Sequence, residues 1–248
     1  MAIKIKSESQ IQLMRKAGEI VRDTLNLVQE HAKEGVTTKA LDKLAYNYII
    51  SQNAAPSFLG YNGFPGTLCT SIDHEVVHGI PNQRVLQEGM LLKIDTGAAF
   101  KGLHADAART IRIGKVSALK EKLARVTKEC FFAGINMIAE GVRLGDLGAT
   151  IQEHAERNGF SVVRSLVGHG IGEDLHEDPY VPNYGVRGKG ERISAGMALA
   201  IEPMICAGGY EVRVAKDNWT VITADSQPSA HYENTIIVTA EGVEILTL

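Results

Sequence analysis

The chain has 248 residues, 44% of them hydrophobic, which is enough to bury the core of one large domain or of two fused halves. Its formal net charge of -3 and sequence pI of ≈ 6.2 exclude a strongly basic surface, so charge provides no reason to expect binding to nucleic acid or to an anionic membrane. Its three cysteines, Cys69, Cys130 and Cys206, are widely spaced, which argues against a disulfide framework and favours a cytoplasmic location.

Amphipathic helices are predicted in both parts of the chain. Apolar side chains recur at helical spacing from about residue 9 to residue 34, and Gly35 then occupies the position of a C-terminal cap. The same spacing predicts a second helix from about residue 38 to residue 53, a third over residues 117–139, and a fourth that ends at Asn158-Gly159. No stretch has the length and apolar character of a membrane span or a signal peptide, so we expect no membrane association.

Strands are predicted where apolar residues alternate or run together. The predicted segments are 76–80, 90–96, 103–113, 160–167, 197–206 and 234–247. Turn dipeptides such as Lys101-Gly102 and Gly208-Gly209 separate them. Because a pair of helices precedes each group of strands, the order of elements predicts an α+β fold.

The sequence also repeats itself. Three segments of the first part return in the second: Gly89 to Asp95 as Gly196 to Glu202, His104-Ala105-Asp106 as His231-Tyr232-Glu233, and Glu34-Gly35-Val36 as Glu140-Gly141-Val142. These echoes predict two helix-helix-strand halves related by a pseudo-two-fold axis. The pseudo-repeats cover roughly residues 9–113 and 117–246 of a single domain that spans residues 1–248.

The repeat supplies four acids that follow apolar strands, Asp95, Asp106, Glu202 and Glu233. A hairpin that turns at Phe100-Lys101 would place Asp95 directly opposite Asp106, with Cβ atoms roughly 4.5 to 5.5 Å apart. Two charges 4 Å apart repel each other by about 4 kcal/mol at an effective dielectric constant of 20. Isolated acids at strand ends are usually solvated, but the duplicated pairs and the neighbouring histidines favour a site that holds metal cations.

His169 is the fifth candidate ligand. It lies in Gly168-His169-Gly170-Ile171-Gly172, directly after the predicted strand 160–167, where the glycines allow a close backbone approach. Four carboxylates and an imidazole form a hard, oxygen-rich ligand set, which suits two cations of the Mn, Fe or Co type better than it suits structural zinc. The motif does not indicate a nucleotide-binding loop, because it lacks the fingerprint spacing and a Walker lysine.

His78 and His176 are predicted to lie beside the metals as hydrogen-bond donors. In a hydrolytic site both would stabilise the oxygen that becomes negative in the tetrahedral intermediate, while a bridging hydroxide attacks. Glu202 is the preferred carboxylate for moving the proton of that hydroxide. The other histidines are interpreted as structural or exposed: His31, His74, His104, His154 and His231. Nucleophilic catalysis is not supported, because the chain has no Gly-x-Ser-x-Gly elbow.

These residues resemble the type I methionine aminopeptidases, which have the pita-bread fold. The resemblance covers essentially the whole chain and rests on these motifs: Ser71-Ile72 with Glu75 to Pro81, Asp95 with Asp106, Gly168 to Gly172 with His176-Glu177, Ile201 to Met204, and Tyr232 to Thr235. It implies an antiparallel sheet that encloses a dinuclear metal site, in which Asp106 and Glu233 bridge two ions. Asp95 would complete the ligands of one ion, and His169 with Glu202 those of the other.

The resemblance further implies the activity, which is removal of the initiator methionine from nascent proteins whose second residue is small. The residues that match the substrate site suit an unbranched thioether: Phe58, Tyr61, Phe64, Cys69, His78, His176 and Trp219. The implied cofactors are two divalent metal ions (Co, Mn or Fe). The implied partner is the methionine terminus of a nascent polypeptide, with the ribosome as a candidate contact, and we expect a monomer that binds neither nucleic acid nor membrane.

Two other hypotheses share the same core. Prolidases and aminopeptidase P resemble the chain at Asp95-Thr96-Gly97-Ala98 and from His169 to His176, but they usually carry an extra N-terminal domain, for which this chain leaves no room. The second alternative is a pita-bread module that has lost its metals and binds peptides without cleaving them. A matching residue at all five ligand positions argues against that module.

Overall fold

Four α-helices are present in the computed structural model, which describes residues 3–248. They are α1 (Glu8–His31), α2 (Thr38–Ser51), α3 (Ala118–Ile135) and α4 (Leu144–Arg157). Their positions agree with the four predicted helices, although α1 and α3 end earlier than the apolar stripe suggested. After α1 the chain turns at Gly35, which has a φ of 86° and donates to the carbonyl of Leu86 instead of continuing the helix.

Antiparallel strands, most of them short, form the rest of the regular structure apart from a 3-10 helix at Tyr61–Gly63. They are β1 (Ala55–Pro56), β2 (Leu68–Ile72), β3 (Glu75–Val77), β4 (Leu91–Phe100), β5 (Leu103–Arg112), β6 (Ser161–Val162), β7 (Gly168–Gly170), β8 (Glu177–Val181), β9 (Ala198–Ile201), β10 (Met204–Cys206), β11 (Val212–Val214), β12 (Val221–Thr223), β13 (Ser229–His231), β14 (Asn234–Thr239) and β15 (Gly242–Ile245). One sheet has the order β1-β4-β2 with β5 also on β4, and another has the order β15-β14-β9-β7-β8. Two smaller sheets are β13-β10-β6 and β11-β12-β3.

The predicted and observed strands differ in the second part of the chain. The predicted strand 197–206 is split into β9 and β10, because Pro203 has no N–H with which to continue a ladder. The predicted strand 160–167 contains only β6, and His169 lies within β7 rather than after a strand. The predicted strand 234–247 is a hairpin of β14 and β15. The split at Pro203 leaves Glu202 directly after β9, in the gap between two strands.

The sequence repeat is visible in the backbone hydrogen bonds. Equivalent donors meet equivalent acceptors in the two parts: Gly35 N with Leu86 O and Gly141 N with Ile193 O, then Gly89 N with Ile113 O and Gly196 N with Val238 O. These bonds support the proposed duplication. A single catalytic domain over residues 1–248 stays a prediction, and residues 1 and 2 lie outside the described range.

Apolar clusters hold the helices against the two larger sheets. Helix α1 packs on β4 and β5, and α2 packs against α1, β1 and β2, through a cluster that includes Leu25, Leu41 and Ile94. A second cluster joins α3 and α4 to β9, β10 and β14. Because side chains alternate along a strand, burial of Ile94 against the helices directs Asp95 to the other face of β4. Within residues 3–248, no helix has both the length and the apolar character needed to cross a membrane.

Lys93 is a buried cation that links the two parts of the chain. It lies on β4, is 1% exposed, and its ammonium donates to the backbone carbonyls of Asp73 at 2.7 Å and Ser229 at 3.2 Å. Burial lowers the pKa of Lys93 to about 7. Ser229 begins β13, so the ammonium joins β4 to a strand from the second part of the chain.

We expect the protein to become more stable, relative to its Lys93→Met variant, as the pH rises from about 7 to about 10. Across that range the unfolded chain binds the Lys93 proton more strongly than the folded chain does, so raising the pH penalises unfolding. Urea unfolding of both proteins at several pH values measures the difference in free energy of unfolding. A difference that does not change with pH would contradict a buried amine of lowered pKa.

Candidate metal centre

Asp95 and Asp106 lie on the β4–β5 hairpin, but they are not directly opposite each other, and that part of the prediction is wrong. Asp95 pairs with Ala108. The turn is at Lys101-Gly102, where φ is 50° and 84°, rather than at Phe100-Lys101. Positive φ at both central residues is what a type I′ two-residue hairpin turn requires. The change in register moves the pairing by two positions, so both acids remain on one face as diagonal neighbours.

Glu233 is attached to this hairpin through its backbone. Glu233 donates to the carbonyl of Ala108 at 3.1 Å, and Ala108 donates back at 3.3 Å. Asp95 and Glu233 therefore lie on opposite sides of Ala108. Next to them, the backbone N–H of Asp106 donates to the Thr235 hydroxyl, which lies 3.0 Å from Asp106 Oδ1. These bonds hold acids from the two parts of the chain together.

Glu202 is brought next to Glu233 by the β9–β14 ladder. Ile201, the last residue of β9, pairs with Asn234, the first residue of β14. Glu202 and Glu233 therefore flank the end of the ladder. Asn183 donates to the carbonyl of Glu202 at 3.1 Å, which fixes the backbone where the sheet is interrupted.

His169 lies on β7, packed between β8 and β9. A Cβ atom at Gly168 would lie 2.3 Å from the carbonyl oxygen of Ala200, and one at Gly170 would lie 2.2 Å from that of Asp178, so only glycine fits at either position. The Nδ1–H of His169 donates to the carbonyl of Gly170 at 2.8 Å. This bond leaves Nε2 with a lone pair, which is the tautomer that a metal ligand needs.

The candidate ligands surround one space. Asp106, His169 and Glu233 each offer one ligand atom, and these atoms all lie within 4.8 Å of one another. His169 Nε2 is 3.5 Å from Asp106 Oδ2 and 3.8 Å from Glu202 Oε1. Asp95 lines the same space, and within residues 3–248 its buried Oδ1 has no hydrogen-bond partner. The structure thus brings the five sequence-predicted ligands together.

The electrostatics of this space fit divalent cations. Burial raises the pKa of Asp106 to about 6. Burial first, and the neighbouring carboxylates second, raise the pKa of Asp95, Glu202 and Glu233 well above the usual range. Burial also lowers the pKa of His169 to about 4, so its imidazole is neutral and free to coordinate. In the absence of a cation, these crowded carboxyl groups keep their protons because their charges would repel one another. A bound metal cation would displace those protons and be coordinated by the oxygens.

His78 and His176 lie on the same cavity as uncharged imidazoles. Burial lowers the pKa of each to about 4. His78 follows β3 with a φ of 59°, a strained conformation for a residue with a Cβ atom. The Tyr61 hydroxyl lies 2.8 Å from His176 Nδ1 and holds that ring in place. Each neutral ring carries one N–H that can donate to a ligand.

Every site residue proposed from the sequence lines one cavity of ≈ 270 Å³. Its lining comprises Asp95, Asp106, His169, Glu202, Glu233, His78, His176, Phe58, Tyr61, Phe64, Cys69 and Trp219, together with Asn62 and Leu175. The rings of Phe64 and Trp219 meet edge to face with centroids 5.1 Å apart. Leu175 is 3% exposed, whereas the preceding Asp174 pairs with Lys4 at the surface. The cavity therefore has an acidic floor and an aromatic wall.

Residues without a predicted site role also contact the acids. His231, which was interpreted as structural or exposed, is 1% exposed, and its Nε2 is 3.5 Å from Glu202 Oε2. Arg109 donates to the carbonyl of Glu233 at 2.6 Å and orders that backbone. His231 and Thr235 each lie two residues from Glu233, and alternation along a strand could have indicated that they share its face. Arg109 has no comparable signal in the sequence.

Comparisons with known proteins agree with this geometry. Residues 12–240 match the model of metallopeptidase family M24. A methionine aminopeptidase from Clostridium perfringens is 50% identical over 244 residues, which is 98% of each chain. The crystal structure of a methionine aminopeptidase from Thermotoga maritima has a TM-score of 0.98 at 42% identity, over 99% of both chains.

A more distant structure shares the fold alone. The Xaa-Pro dipeptidase from Bacillus anthracis has a TM-score of 0.80 at 23% identity, over 98% of this chain and 61% of that chain. Together with the closer similarity to methionine aminopeptidase structures, it confirms the pita-bread fold expected from the sequence.

Proposed function

The chain belongs to metallopeptidase family M24, and we propose that it is a methionine aminopeptidase, a metallo-exopeptidase that removes the N-terminal methionine of a polypeptide. The observation that carries the proposal is the single cavity on which five ligand-type residues meet an aromatic and thiol lining. The finer part of the proposal is the substrate, namely nascent proteins whose second residue is small.

Asp95, Asp106, His169, Glu202 and Glu233 would hold two divalent ions of Co, Mn or Fe. Bound there, such ions supply a Lewis acid for the scissile carbonyl and lower the pKa of the attacking water. Within residues 3–248, the ion pairs recorded for these carboxylates involve only the neutral imidazoles of His169 and His231. Arg109 places a positive charge near Glu233, but its guanidinium donates to the backbone carbonyl of that residue and not to a carboxylate.

The remaining chemistry is assigned to side chains of the cavity. Glu202, which bound cations would keep deprotonated, accepts a proton from the attacking water and passes it to the leaving amine. His78 and His176 donate their N–H groups to the carbonyl oxygen as it becomes negative. Burial lowers the pKa of each histidine to about 4, so near neutral pH each ring is uncharged and keeps one N–H to donate.

The lining suits methionine as the first residue. Phe64 and Trp219 form one aromatic wall, and Cys69 lies opposite Asp95 in the β2–β4 ladder, beside the metal ligands. An unbranched thioether packs well against aromatic rings.

Removal of the His176 ring is expected to lower kcat by about 10²-fold to 10³-fold in His176→Ala with little change in KM, because it removes a donor used mainly in the transition state. Tyr61→Phe, which keeps the ring and removes only the hydroxyl that orients His176, should lower kcat by about tenfold. Steady-state kinetics on Met-Ala-Ser measures both. A loss of thermal stability with unchanged kcat would make His176 structural.

The proposed function is tested with peptides and added Mn, Co or Fe. Met-Ala-Ser should be cleaved to free methionine, and cleavage should fall when the second residue is enlarged from alanine to leucine. Xaa-Pro peptides serve as the matched alternative. Proline-dependent cleavage would favour a prolidase, and metal-independent peptide binding without any cleavage would favour a binding module.

A monomeric state, a cytoplasmic location and contact with the ribosome belong to the same proposal. The three cysteines of the chain are free and buried, which suits a reducing compartment such as the cytoplasm. Sedimentation of the purified protein, alone and with ribosomes, tests the monomer and the ribosome contact.

A further inference from the structure

His231 is a buried imidazole without a hydrogen-bond partner. It is 1% exposed, and neither ring nitrogen bonds to any group among residues 3–248. More than about nine in ten buried polar groups in folded proteins have a partner. A buried imidazole whose nitrogens have no partner therefore indicates a hydrogen bond that forms when the site binds its metal ions.

The nearest acceptors are the carboxylates of the metal centre. His231 Nε2 is 3.5 Å from Glu202 Oε2 and 4.0 Å from Glu233 Oε2. The other oxygen of Glu202, Oε1, faces His169 Nε2 at 3.8 Å. Glu202 is therefore flanked by two imidazoles, one for each of its oxygens.

The backbone of His231 cannot drift away from this position. Its N–H donates to the Thr110 hydroxyl at 3.0 Å, and that hydroxyl donates to the His231 carbonyl at 2.8 Å. On its other side, His231 pairs with Met204 in the β10–β13 ladder. β10 begins directly after Glu202-Pro203, so the strand that aligns His231 continues from the residue that it faces.

We propose that His231 is a positioning residue that donates its Nε2–H to Oε2 of Glu202 and so directs Oε1 towards the metal side of the site. The proposal rests on the proposed function and deepens it. Donation requires only an N–H on Nε2, which both the Nε2–H tautomer and the protonated ring supply. With Oε2 held, Glu202 presents one oxygen in a fixed orientation, whereas without His231 the carboxylate can rotate.

The test compares His231→Phe, which keeps an aromatic ring but has no donor, with His231→Gln, whose amide can still donate. Calorimetric titration of the metal-free proteins with Mn²⁺, and kcat and KM on Met-Ala-Ser, are the measurements. His231→Phe should bind the ion 10-fold to 100-fold more weakly and lose a similar factor in kcat, with KM little changed. His231→Gln should recover most of both. Wild-type Mn²⁺ affinity and kcat in His231→Phe would overturn the proposal.

A measurement on the unaltered protein avoids any folding defect in the variants. In ¹⁵N-histidine spectra of the Zn²⁺-loaded protein, the His231 ring should carry its proton on Nε2, and a proton on Nδ1 alone would overturn the proposal. Because metal affinity and tautomer do not depend on peptide cleavage, the two ideas can fail separately. A protein that shows both effects but does not cleave Met-Ala-Ser would refute the proposed function only.

Discussion

Replacing Glu202 by glutamine should reduce turnover by at least about 10³-fold while the protein stays folded. An amide cannot accept a proton from the attacking water, and loss of a general base alone costs about 10²-fold to 10⁴-fold. The change also removes a charged ligand from the cluster. Burial and the charges of Asp95 and Asp106 raise the pKa of Glu202, so the neutral amide should not destabilise the fold. Steady-state kinetics and thermal unfolding, measured together, check both parts.

The matched control is Glu30→Gln, the same change of functional group on the exposed face of α1. It should have wild-type kcat, KM and melting temperature. A Glu202→Gln protein with near-normal turnover would refute the assignment of proton transfer to Glu202. A Glu202→Gln protein that does not fold would instead show that the carboxylate is needed for structure.

The Asp106→Asn variant should lose the stabilisation that divalent metal gives to the wild-type protein. Asp106 lies in the group whose ligand atoms are all within 4.8 Å of one another. A ligand present at 100 times its Kd stabilises a protein by about 2.7 kcal/mol, which corresponds to roughly 5 to 10 °C in melting temperature for a chain of this size. Differential scanning calorimetry with and without Mn²⁺ measures the shift.

Without metal, Asp106→Asn should be at least as stable as the wild type. Asparagine removes one charge from a cluster of carboxylates, and its side chain can keep the contact of Asp106 with the Thr235 hydroxyl. Glu30→Gln again serves as the control and should retain the full metal-dependent shift. If Asp106→Asn kept that shift, the ion would have to be held elsewhere.

The duplicated organisation of the fold could be predicted from the sequence repeat, because the repeat places equivalent strands before Asp95 and Glu202. What it could not provide was the register of the hairpin. The acids are diagonal because the turn uses Lys101-Gly102, where the backbone must adopt positive φ, and this requirement overrides the symmetry of the acid spacing. Strands β2 and β8, of five residues each, were also missed, as were the three-residue strands β11 to β13. Three residues are too few to show alternation.

The candidate site was more predictable than the network around it. Its acids and His169 belong to motifs, whereas His231 and Arg109 contribute through contacts with other strands that the linear sequence does not display. The repeat held a partial signal, since His104 and His231 each precede an acid by two residues. The structure separates their roles, because His104 bonds to the Ser57 hydroxyl at 2.9 Å while His231 faces Glu202.

Divalent ions are expected to hold together the acids from the two parts of the chain. The most direct measurement is an anomalous difference map, collected at the manganese edge from crystals of the protein grown with Mn²⁺. We expect anomalous peaks between Asp106, His169 and Glu233, with Asp95 and Glu202 among the ligands. A map without density there, from protein that still releases methionine, would contradict this expectation.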